Sequence, residues 1–219
     1  MTATLLLLAL ATAVTAQPNV RVALYEESLC PYCNEFMANA FDATFNASCR
    51  ATMVSKWEVI PFGNAKIGAD GTVTCQHGVN ECKGNKLQAC AQAHFPAEDM
   101  WMDLFRCQGE AYPNSVTDMQ SCAEAAGMTW STIEACYGSG EGDALIAANG
   151  NRTGALNPKK QGVPWVVVND VPVDDRDQLL AAICDAYVGT KPACCAAAAA
   201  QAAAAAAAAS VRAAAPPRS

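Results

Sequence analysis

Positive charge is scarce in this 219-residue chain: 14 Lys and Arg stand against 21 Asp and Glu, leaving a net charge of -7 and a pI near 4.8. A nucleic-acid or anionic-membrane partner needs a clustered basic face, so the shortage argues against both. Long apolar runs are also lacking. The opening stretch MTATLLLLALATAVTA (1–16) holds an apolar run only about half as long as the ~20 residues that a bilayer span requires. It carries no Lys or Arg, a departure from the usual pattern, yet Val14-Thr15-Ala16 supplies a small-residue cleavage site. A secretory signal is therefore expected over 1–16, with the mature chain starting near Gln17. No internal repeat is present, so residues 17–195 are expected to form one domain.

Cysteine, by contrast, is abundant. Twelve in a chain with an export signal imply an oxidising compartment and several disulfides. Two sequons, Asn46-Ala47-Ser48 and Asn151-Arg152-Thr153, fit a secretory route and mark Asn46 and Asn151 as exposed glycosylation positions. Residues 196–219 are nearly all alanine and close with a Pro-Pro pair. Alanine favours helix but offers little to bury, so a frayed helix or a disordered tail is expected. A membrane tail is the less favoured reading, because alanine transfers weakly into hydrocarbon.

Periodicity supplies the element order. Val20 to Tyr25 reads as a buried strand, and Asn34 to Phe45 places Phe36, Met37, Ala40, Phe41 and Phe45 at helical spacing. Lys56 to Phe62 is a second strand, stopped by Gly63-Asn64. Helices are predicted near 80–93, 97–108, 115–126, 130–137 and 141–148. Val163 to Asp170 then gives an apolar strand, and Val171 to Val173 a short partner after the Asn169-Asp170 turn. Asp174 to Tyr187 closes the domain as a helix. The order βαβ, helical segment, ββα fits an α/β sandwich resembling the thioredoxin-like fold, with a cysteine-rich helical insertion over about 63–157.

Between the first strand and the first helix stands "SLCPYCNEF" (28–36). A disulfide between residues i and i+3 closes a very short ring and is more easily reduced than a long-range bridge. A cysteine at a helix N-terminus has its thiolate stabilised by unpaired N–H groups, and Pro31 at the first helical position puts Cys30 there. Cys30 is thus the candidate nucleophile and Cys33 the resolving thiol of a disulfide exchange. At the ordinary thiol pKa of about 8.5, only roughly one thiol in three thousand is ionised at pH ~5, so work in an acidic compartment requires a depressed value. Val163-Pro164 falls where thioredoxin-like proteins carry a cis-proline whose backbone binds the substrate chain.

The string "CQHGVNECKGNKLQAC" (75–90) is the most specific in the chain. Together with the upstream cysteine pair, it closely resembles the signature of the gamma-interferon-inducible lysosomal thiol reductase (GILT) family. "VPWVVVN" and "CDAYVGTKPACC" are similar to that family's C-terminal half, and the resemblance extends over about residues 20 to 195. It implies a thiol reductase of the lysosome, vacuole or extracellular space, acting at acidic pH on disulfide-bonded, unfolded protein substrates. A small-thiol or dithiol electron donor would recharge it, and no cofactor is implied because the electrons pass through Cys30 and Cys33. Pro31-Tyr32 departs from the family by matching the glutaredoxin dipeptide.

Bottom-up, Cys82 and Cys90 lie near one helix face and Cys75 on the approaching loop, placed to staple the insertion. Cys75, His77, Cys82 and Cys90 also form a possible Cys3His zinc set, although an oxidising route disfavours three reduced thiols. His77 reads as a hydrogen-bonding loop residue and His94 as ordinary surface. Of the remaining cysteines, Cys122 is expected to pair with Cys136, and Cys184 with Cys194 or Cys195. A disulfide-stapled binding protein with an inert Cys30–Cys33 pair is the rival to the enzyme, and it lacks a low-pKa, accessible Cys30.

Overall fold

The computed structural model describes residues 18–214; the expected signal over 1–16 lies outside them. Strand β1 (Val20–Glu26) is buried at every position except Arg21, as expected of a central strand covered on both faces. Helix α1 (Pro31–Phe36) follows, runs into a π-helical turn at Met37–Phe41, and ends as α2 (Asp42–Phe45). The single helix predicted from Asn34 is therefore longer at its start and carries a π turn in its middle. After the short α3 (Arg50–Met53), β2 (Val54–Pro61) returns parallel to β1.

A two-residue hairpin, β3 (Lys66–Ile67) with β4 (Val73–Thr74), opens the insertion and is too short to show in the sequence pattern. Then come α4 (Val79–His94), α5 (Glu98–Ala111), α6 (Met119–Ala125), α7 (Trp130–Tyr137) and α8 (Gly140–Gly154). The last outruns its predicted end by a full turn or more. Strand β5 (Trp165–Val168) pairs antiparallel with β1, and β6 (Val171–Pro172) with β5. Asn169 and Asp170, at φ 48° and 65°, make the tight turn between them. The sheet order is β2-β1-β5-β6, so β1 is flanked by a parallel and an antiparallel neighbour. A short 3-10 turn (Arg176–Gln178) leads into α9 (Leu179–Ala186).

Aromatic contacts join the layers: Phe36 meets Phe41 edge-on, Phe41 and Phe45 meet Trp57 of β2 edge-on, and Phe45 meets Trp101 of α5 at a tilt. The insertion thereby shares its core with the sandwich. Five disulfides complete the frame: Cys49–Cys194, Cys75–Cys82, Cys90–Cys136, Cys107–Cys122 and Cys184–Cys195. The expected Cys122–Cys136 bridge is absent, because each cysteine faces a different neighbouring helix, α6 against α5 and α7 against α4. Cys194 and Cys195 bridge separately, to Cys49 and to Cys184. Three thiols of the possible zinc set are consumed, since Cys75 pairs with Cys82 and Cys90 with Cys136.

The alanine-rich segment is helix α10 (Ala193–Ala214), which starts inside the folded domain and buries Cys195 and Ala198. The boundary expected after Cys195 therefore falls within this helix. No described helix is long and apolar enough to cross a membrane.

Candidate active site

Two cysteines remain unpaired, Cys30 and Cys33. They stand where β1 ends and α1 begins, with Cys30 as the N-cap and Pro31 in the first turn. The backbone N–H of Cys33 donates to Cys30 Sγ at 3.3 Å. The carbonyl of Val163 lies 3.9 Å from the same sulfur, and the Val163–Pro164 peptide is cis. The fold thus brings together the cysteine pair and the proline loop, which are 133 residues apart in sequence. Cys33 is 1% exposed and Cys30 only 4%, less open than the sequence reading expects, because the sulfur is tucked between the helix N-terminus and the Val163 carbonyl. Tyr32, 62% exposed, marks the open side.

Local hydrogen bonds split the two thiols. A bond from the Cys33 thiol, joined by the N–H groups of Cys33 and Tyr32, lowers Cys30 to about 7, against burial and the nearby Glu27 charge. Burial, the Cys30 partner and the charge of Glu26 hold Cys33 well above the usual thiol range. One thiol is therefore ionised far more readily than the other, as an attacking and resolving pair requires.

The turn that carries Cys30 is pinned from the insertion. Asn85 Oδ1 accepts from the Ser28 N–H at 2.9 Å, and Ser28 Oγ donates to the Glu81 carbonyl at 3.1 Å. Ser115 Oγ and Asn34 Nδ2 both donate to the Ser28 carbonyl. Glu81 and Asn85 belong to the string 75–90, so that motif serves as the platform of the redox turn. His77 donates its backbone N–H to one Glu81 oxygen and meets the other through Nδ1. It is a hydrogen-bonding loop residue as expected, and it faces two fully buried carboxylates, Glu27 and Glu81. His94 is more than bare surface: its Nε2 lies 3.1 Å from Glu141.

Sequence reasoning missed Glu26 and Glu27. Both are buried beside the cysteines, and burial raises the pKa of each, Glu26 the more strongly. Glu27 accepts from the Asn64 N–H, and Gly63 at φ 55° has no room for a side chain, since an added Cβ would fall 2.1 Å from Glu27 Cγ. The only available signal was a pair of acidic residues directly after an apolar strand, which reads as a solvated strand end. Glu27→Gln removes a negative charge near Cys30 and is expected to lower the Cys30 pKa further. Thiolate absorbance near 240 nm across a pH titration of the reduced protein measures this, and an unmoved midpoint would show that the Glu27 charge does not reach the sulfur.

Asn46 and Asn151 are exposed, the first after α2 and the second within α8.

The sequence model described as "Gamma interferon inducible lysosomal thiol reductase (GILT)" matches residues 21–126. A gamma-interferon-responsive lysosomal thiol protein of Arabidopsis thaliana is 36% identical over 174 residues, covering 78% of this chain and 72% of the relative. The gamma-interferon-inducible lysosomal thiol reductase of Carassius auratus is 32% identical, covering 80% and 71%. Among solved structures, the reduced disulfide bond oxidoreductase DsbG of Mycobacterium tuberculosis superposes with a TM-score of 0.57 at 17% identity, covering 86% of this chain and 90% of that one. DsbA of Chlamydia trachomatis superposes at 0.55 and 14%, covering 76% and 85%. These likenesses establish the thioredoxin-like fold.

Proposed function

From the premise that the chain belongs to the GILT family and is a thiol-disulfide oxidoreductase, we propose that it reduces protein disulfides through Cys30 and Cys33 in an acidic compartment. The observation that carries the reading is the unpaired cysteine couple, one thiol lowered and the other raised, beside the Val163 carbonyl. The Cys30 thiolate attacks one sulfur of a substrate disulfide, forming a mixed disulfide and releasing the other sulfur as a thiolate. Cys33, deprotonated, then attacks Cys30 Sγ, and the second substrate sulfur leaves. The enzyme ends oxidised at Cys30–Cys33, the substrate gains two electrons, and two equivalents of a small thiol, or one dithiol, restore the enzyme. Val163 and Pro164 present backbone to the substrate chain alongside the reacting sulfurs.

A Cys30 pKa of about 7 leaves roughly one thiolate in a hundred at pH ~5, some thirtyfold more than an ordinary thiol supplies. Acid also neutralises Glu26 and Glu27, whose pKa values burial raises above the ordinary carboxylate range. Their protonation removes the like charges that oppose thiolate formation, which supports operation at low pH. The 1–16 segment as a secretory signal, glycans on Asn46 and Asn151, a lysosomal, vacuolar or extracellular destination, and residues 196–219 as an appended low-complexity tail complete the proposal.

Reduction of denatured insulin at pH ~4.5 and ~7 tests it. Cys30→Ser is expected to abolish turnover, at least 1,000-fold being lost with the nucleophile, whereas Cys33→Ser accumulates a mixed disulfide visible by mass. Absence of turnover in folded wild-type protein at both pH values would leave the fold without the chemistry and favour the binding-protein reading.

A further inference from the structure

A cleft of about 870 Å³ opens between the end of β2, the β3 strand, the last turn of α8 and the segment leading to Pro164. Three lysines line it, Lys66, Lys159 and Lys160, and no Asp or Glu does. This is notable in a chain that carries seven more acidic than basic residues, 21 against 14. Most of the other described cations meet carboxylates, among them Arg21 with Asp170, Lys56 and Arg152 with Glu58, and Arg106 with three acids. The three cleft lysines form no ion pair among the described residues. Lys159 donates to the Gly154 carbonyl and Lys160 to Asn64 Oδ1, both neutral acceptors.

The cleft adjoins the redox centre. Asn64, in its wall, donates its N–H to Glu27, and Lys160 lies within electrostatic reach of Glu27 and Cys33. Lys159 and Lys160 run directly into Gln161–Pro164, which line a second cavity of about 280 Å³ on the proline loop. That second cavity carries Asp174 with Arg176, so its charge is mixed and the uniformly positive wall belongs to the lysine cleft.

We propose that the Lys66–Lys159–Lys160 cleft is a carboxylate-binding subsite that receives acidic residues flanking the disulfide of a polypeptide substrate. The inference rests on the reductase reading, because the cleft lining ends at Lys160, on the segment that leads directly to the Val163–Pro164 backbone. Unpaired ammonium groups gathered in one concavity raise the local concentration of anions and are stabilised when carboxylates enter. Apolar walls from Phe62, Ala65 and Ile67 lower the local dielectric and strengthen each pairing.

The test uses the full-length protein with its N-glycans enzymatically removed, since Asn151 lines the same cleft. Two peptides with one internal disulfide are compared, flanked by Glu-Glu or by Gln-Gln. The expected ratio of kcat/KM, Glu over Gln, is about fivefold at low salt for two partly screened pairs, falling toward one at ~0.5 M salt. In Lys66→Gln/Lys159→Gln the ratio is expected to approach one. A ratio of one in wild type, or an unchanged ratio in the variant, would overturn the proposal. So would a charge preference confined to acidic over neutral thiol reductants, which would assign the cleft to the electron donor. A parallel binding arm titrates labelled peptides carrying Ser for Cys into Cys30→Ser protein. Lysine-dependent preference there without turnover in wild type would sustain the cleft and sink the reductase reading; turnover with equal binding would do the reverse.

Discussion

Removing the Cys49–Cys194 bridge by paired alanine substitution is expected to cost about 5 kcal/mol, the largest single stability effect in the molecule. The bridge closes a loop spanning a sequence separation of 145, and the entropy it withholds from the unfolded chain grows with the logarithm of that length. By the same relation Cys75–Cys82, with a separation of 7, contributes about half as much. A domain of this size shifts its melting temperature by about 2–4 °C per kcal/mol, so the double variant is expected to melt roughly 10–20 °C lower. Calorimetry with the other bridges intact measures it. A shift below about 3 °C would show that Cys184–Cys195 and the packing of Ala198 hold the last helix without help.

The second large effect is expected at Gly84, inside α4. A Cβ there would lie 2.3 Å from Ser28 Oγ and 2.6 Å from Val116 Cγ2, well within van der Waals contact. Ser28 has nowhere to go, because Asn85, Asn34 and Ser115 hold its backbone and its hydroxyl is bonded to Glu81. Overpacking together with a strained buried hydrogen bond gives about 2–4 kcal/mol of destabilisation. Since the displaced turn carries Cys30, activity is expected to fall more than tenfold even in the folded fraction, with the Cys30 titration shifted. Gly140→Ala serves as the control: a Cβ there meets nothing within 4 Å, and the change is expected to stay within about 0.5 kcal/mol. Folded Gly84→Ala protein with wild-type turnover would mean that α4 and the redox turn are mechanically independent.

The strands and most helices were legible because their apolar spacing follows from burial on one face or two. The redox pair was legible because a strand, a short turn and an amphipathic helix frame Cys30 and Cys33 within a few residues. Disulfide partners across the insertion were not. Cys107 finds Cys122 and Cys90 finds Cys136 because α5 docks on α6 and α4 on α7, and docking is absent from residue spacing. Cys184–Cys195 was accessible because its two ends sit on the helices either side of one short connection, only 11 residues apart. Glu26 and Glu27 escaped notice for a related reason: Gly63, Asn64 and His77, the groups packed against Glu27, are contributed from up to 50 positions away. The lysine cleft is legible only in three dimensions, since Lys66 and Lys159 come from opposite ends of the insertion.

An enzyme whose trade is opening disulfides must spare its own. Each of the five structural bridges has at least one half buried, at Cys49, Cys75 and Cys122, and on both sides at Cys90–Cys136 and Cys184–Cys195. Exchange requires a thiolate to approach along the S–S axis, and the buried halves narrow that approach for a second molecule's Cys30. Depth alone does not set the redox couple apart, since Cys30 is itself only 4% exposed, no more open than Cys49 or Cys75. What distinguishes it is that its two thiols are unpaired and unequal, Cys30 lowered to about 7 and Cys33 raised, while the other ten cysteines are closed into bridges.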